Sequence, residues 1–137
     1  MTAKEFLTQA YRIDQRINIK LEQVESLHEL AEKATSTISD MPRPATRNIH
    51  RMEDVIVKIM ELESEINQDA IRMVDLKHEI VTVIKCVASP ELQTLLELRY
   101  LCFRTWEQIS VEMCFDIRWV HRLHNRALEE VEKIRRC

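Results

Sequence analysis

The chain contains no glycine, and this absence constrains its fold more than any motif within it. Glycine enters the left-handed backbone region at little cost, so primed hairpin turns and glycine-rich phosphate loops are implausible in this chain. Helices joined by short connections remain. Apolar residues at 45% and charged residues at 31% argue against disorder. A length of 137 residues is enough for one compact domain or for a small module attached to an extended helical element.

The helices can be traced from their start signals and their periodicity. Thr2 and Glu5 have capping-box spacing, and neither proline nor glycine interrupts the chain from there to about Thr37. Along it, Leu7, Ala10, Ile13, Ile17, Leu21, Val24, Leu27, Leu30, Ala34 and Ile38 recur at steps of three and four, which places them on one helical stripe. The segment Ser39 to Thr46 ends that pattern, because Pro42 and Pro44 remove backbone donors and push their predecessors out of the helical region. A second stripe follows to about Val87: Ile49, Met52, Ile56, Ile59, Leu62, Ile66, Ala70, Met73, Leu76, Ile80, Ile84 and Val87. Two matched stripes and a short link predict an all-α chain whose residues 1–88 form a long antiparallel helical hairpin. Such a stripe can also serve as an oligomerisation element, which leaves a homodimer open.

Ser89, Pro90 and Glu91 read as a fresh helix start, with a capping serine, proline at the first helical position and an acid in the first turn. That helix should run to about Cys102. Thr105 and Gln108 repeat the capping-box spacing, and Asp116 is placed to cap a last helix reaching about Arg135. Residues 89–137 are thus expected as a separate three-helix domain. Only Cys114, Phe115 and Asp116 separate the helix Trp106 to Met113 from the last one, the connection length of a helix-turn-helix.

At 100° per residue, Val120, Leu123, His124, Ala127 and Val131 fall on one side of the last helix, and Arg118, His121, Arg122 and Asn125 on the other. The second set can bond purine edges or phosphates, and it lies in the half of the helix that enters the major groove in this motif. The net charge of −3 does not itself point to nucleic acid. From Ile117 to Leu128, however, Arg118, Arg122 and Arg126 occur with no acid among them.

Three blocks, Leu95 to Tyr100, Thr105 to Ile109 and Val120 to Leu128, resemble the successive motifs of sigma-70 region 4 over about residues 89–131. More loosely, and upstream to about residue 50, the chain resembles small phage-encoded transcriptional regulators of the ArpU and RinA type. The resemblance implies a regulator that binds double-stranded promoter DNA, with RNA polymerase as a further contact. It implies Ile117, Arg118, His121 and Arg122 as recognition-helix contacts, with Asn125 one turn further on. Cys114 stands where that family often has glycine, and Asp116 where it has a small polar cap. The alternative reading is a protein-interaction module that binds RNA polymerase or a sigma factor without reading DNA itself.

Other chemistries find little support in the residues. Cys102, Cys114, His121 and His124 offer zinc-type atoms at spacings unlike a finger, and core packing is the expectation for the two cysteines. Glu61, Glu63 and Glu65 are spread around their helix, and no nucleophile has an orienting base. The expectation is therefore no enzyme, no metal and no cofactor. With reduced cysteines, no leader pattern and no apolar run approaching a membrane span, the chain is expected to be cytoplasmic, with no membrane partner.

Overall fold

The structure, a computed structural model, describes residues 1–38 and 45–136, with only the backbone described at 34–38 and 45–49. Five helices follow in order: α1 Ala3–Ile38, α2 Ala45–Lys85, α3 Pro90–Leu96, α4 Trp106–Met113 and α5 Ile117–Arg136. A π-helical turn, Glu97–Leu101, extends α3. Among the described residues the chain is all-α and has no strand. No described helix is long and apolar enough to cross a membrane. The proline-containing break at 39–44 lies outside the described residues.

The helix starts show which sequence signals act. Thr2 Oγ1 accepts from Glu5 N at 3.2 Å while Glu5 Oε2 accepts from Thr2 N at 3.1 Å, so the capping box opens α1. Thr105 and Gln108 form a second box at α4. Ser89 stands at the N-cap of α3 in an extended conformation, but its side chain makes no capping bond. Pro90 lacks one of the donors a cap would have served. The side chain of Gln93 instead donates to the carbonyl of Val87 at 2.5 Å, so a residue of α3 satisfies the link that follows α2.

Two compact units divide the chain: one is a continuous stretch, and the other joins segments distant in sequence. One comprises Gln15–Ile71. Within it Lys20 Nζ lies 2.6 Å from Asp69 Oδ2 and 3.6 Å from Glu65 Oε2. Ile19 to Leu27 share a groove with Lys58 and Leu62, so positions rising along α1 meet positions falling along α2. Ile59 and Leu62 are buried, and Ile17, Val24, Leu27 and Ile66 are half-buried. Leu21, Leu30, Ile56 and Ala70, expected on the covered stripes, are exposed. Each helix faces a single neighbour, which covers a narrower arc than the stripe drawn from periodicity, and residues at its margins face outward.

The other unit comprises Met1–Asp14 with Arg72 onward. Its core takes Leu7 and Ala10 from α1, Ile80 and Ile84 from α2, Val87 from the link that follows, and Leu95 and Leu96 from α3. Ile109 comes from α4, and Val120, Ala127 and Val131 from α5. Each leucine, isoleucine or valine among them contributes about 1.5–3 kcal/mol on leaving water. α5 packs against both α3 and α4. The two chain ends also meet in this unit: Ala3 N donates to Glu132 Oε1, and the Arg135 guanidinium lies over the Phe6 ring.

Candidate nucleic-acid interface

The corner between α4 and α5 is built from backbone bonds that end α4 abruptly. Cys114 adopts φ 58° and ψ 37°, the left-handed conformation normally given to glycine. Its N–H bonds back to the Val111 carbonyl, and the N–H of Phe115 bonds to the Ser110 carbonyl at 3.1 Å. This pair of bonds is the Schellman motif. Ser110 Oγ adds a bond to the carbonyl of Phe115 at 2.5 Å. Ile109 and Val120, both fully buried, lie on either side of this corner.

Asp116 precedes α5, and its carbonyl accepts from Val120 N at 3.0 Å. The expected side-chain cap does not form: the Asp116 carboxylate makes no hydrogen bond among the described residues. The expectation of buried cysteines fails as well, because Cys102 and Cys114 are both exposed. Each sits at a helix end, where the corner turns the side chain outward and aliphatic neighbours fill the core.

α5 has two distinct faces. Val120, Leu123, His124, Ala127 and Val131 are buried, whereas Arg118, His121, Arg122 and Asn125 are exposed. Four of the five implied contact residues therefore share an accessible face. Ile117 is only half-buried and belongs partly to the corner. Neither Arg118 nor Arg122 forms an ion pair among the described residues, so both can meet an external anion without losing an internal partner. Arg126 lies over the Trp119 ring at 5.5 Å and widens the cationic strip.

A second layer of residues fixes this face. The Trp106 ring centroid lies 4.8 Å from that of His121 and 4.6 Å from that of His124, and the Arg99 guanidinium covers the indole at 4.3 Å. Trp106 thus ties α4 to both sides of α5. His124 is buried beside Tyr100, and burial, followed by the charges of Lys4, Arg99 and His121, lowers its pKa from 6.5 to about 4. Burial likewise raises the Tyr100 hydroxyl to about 12, against the opposing effect of Arg99. Tyr100 was legible only as part of a motif block; its pairing with a residue twenty-four positions away has no local signal.

Among the described residues no three His, Cys, Asp or Glu side chains converge as metal ligands. No family model, curated protein or solved structure matches the chain.

Proposed function

We propose that the chain is a phage-type transcriptional regulator that binds double-stranded DNA through a sigma-70 region 4-like helix-turn-helix in residues 89–137. The observation that carries this reading is the outward face of α5, where Arg118, His121, Arg122 and Asn125 stand exposed just after a three-residue corner. Bidentate arginine and asparagine are the side chains that pair with guanine and adenine edges. The face lies in the first half of α5, the part such motifs insert into the major groove. Trp106 supports it from behind, so little ordering is needed on contact.

Arg118, Arg122 and Arg126 would neutralise about three phosphates or base-edge sites per chain, giving a logarithmic salt slope of roughly −3 for one protomer. Two joined protomers would double that slope and gain from effective concentration. The exposed Val57, Met60 and Ile71 on α2 support a homodimer as the form that binds.

Fluorescence anisotropy against the upstream DNA of its own gene and a scrambled duplex, at several salt concentrations, tests the reading. Tighter binding to the native fragment with a steep salt slope is expected. If neither duplex binds at low salt, DNA reading is wrong, and pull-down of RNA polymerase and sigma factors by the wild-type chain decides the interaction-module alternative.

A further inference from the structure

Within the unit formed by Met1–Asp14 and Arg72 onward, a cleft of about 290 Å³ opens between the first turns of α1, the π-helical turn and the start of α4. We propose that this cleft is a binding site for a small aromatic anion: a single ring carrying a carboxylate or a comparable acid group.

Its size is at the lower end for ligand clefts, suited to one ring and too small for an extended molecule. Its walls are aromatic. Tyr11 and Phe103 pack against each other with centroids 5.6 Å apart and planes at 58°, forming one side of the cleft, and Trp106 closes a further side. Rings so placed accept a third ring face-on or edge-on. A short aliphatic acid would leave them largely in contact with water.

The charge lining the cleft has one sign. Lys4 and Arg99 border it, no carboxylate does, and neither cation forms an ion pair among the described residues. Lys77 Nζ lies 5.1 Å from the centre of the Phe103 ring and adds a third positive charge nearby. The field is felt inside the unit too, since Lys4 and Arg99 both oppose protonation of His124.

Thr8 Oγ1 already donates to the Lys4 carbonyl at 2.5 Å, and Thr105 Oγ1 accepts from Gln108 N at 3.2 Å. Lys4 Nζ and the Arg99 guanidinium are the charged donors for the acid group, with the Tyr11 hydroxyl beside them in the cleft. Arg99 is held in place by Trp106 below it and by donation to the Arg104 carbonyl at 2.9 Å, a single bond from a group with five donors. A cation ordered in advance costs little entropy on binding. None of these contacts requires α5 to read DNA.

The test titrates the full chain with benzoate, using benzamide as a neutral ring of the same shape and acetate as the same charge without a ring. Amide and indole NMR shifts and calorimetry provide the readouts. Benzoate should give saturable shifts at the Trp106 indole and around Lys4, with both comparators weaker by about tenfold or more. Lys4→Gln should weaken benzoate about tenfold without changing helix content, and Thr8→Trp should fill the cleft and abolish binding. The proposal is overturned if benzoate gives no saturable shift at about 10 mM, if benzamide binds equally, or if both variants bind as wild type.

Discussion

Tyr100 and His124 meet inside the core, the phenolic oxygen 2.5 Å from Nε2, and so join the π-helical turn to α5. Burial favours the neutral forms of both, so the hydroxyl donates and the unprotonated nitrogen accepts. Tyr100→Phe keeps the ring and leaves Nε2 buried without its partner. The expected loss is about 1–3 kcal/mol, read from urea unfolding.

The same histidine makes stability depend on pH. Its folded value of about 4 lies below the ordinary 6.5, so the unfolded chain takes up the proton first. The contribution is complete above pH 6.5 and is lost as pH falls toward about 4, a change on the order of 2–3 kcal/mol. The groups that face it, Lys4, Arg99 and His121, all act against its protonation, and none offsets the trend. Unfolding midpoints compared with those of His124→Gln across this range should converge at the acid end.

Cys114 holds a left-handed backbone that costs a side-chain-bearing residue about 1–2 kcal/mol. Cys114→Gly should therefore stabilise the corner by about 0.5–1 kcal/mol after the entropy of the more flexible unfolded chain is subtracted. A lower melting temperature would show that the thiol contributes packing its exposure does not reveal.

On α5, Arg122→Ala should cost on the order of 1–3 kcal/mol of DNA affinity and relax preference at one base position if it reads a base. Equal loss on native and random duplexes would assign it to phosphate. Reversing the charge of both Arg118 and Arg122 should abolish DNA binding while leaving the fold intact, because neither takes part in an internal ion pair among the described residues.

Lys20 approaches Asp69 at 2.6 Å, and Asp69 is only 7% exposed. Lys20→Met retains the aliphatic stem but removes the ammonium, and should destabilise by about 2 kcal/mol or more. Thermal melts of this variant beside Lys20→Arg separate lost charge from lost packing.

Much of the local structure could be read from the residues. The spans of α4 and α5, both capping boxes and the two faces of α5 follow from periodicity and short-range hydrogen bonding, which sequence records directly. The π-helical turn, the left-handed Phe103 and the Arg99–Trp106 stack do not: Tyr100, Phe103 and Trp106 each meet a ring from a distant part of the chain, which no local pattern records. The exposure of Leu21 and Leu30 was hidden for a related reason: periodicity defines a face but not how much of it a partner covers. The cleft beside Lys4 joins residues about ninety-five positions apart, and no local pattern announces it.

The contact of Ala3 with Glu132, and of Arg135 with the carbonyls of Met1 and Thr2, bears on the order in which the protein can assemble. During synthesis the opening turns of α1 leave the ribosome long before their packing partners in α5 exist. Phe6 must wait without its cover from Arg135 until the last turns of α5 have been made. Closing this unit brings together the most distant parts of the sequence, the slow kind of closure for a helical protein. A nascent chain stalled before α5 would present Phe6 to chaperones.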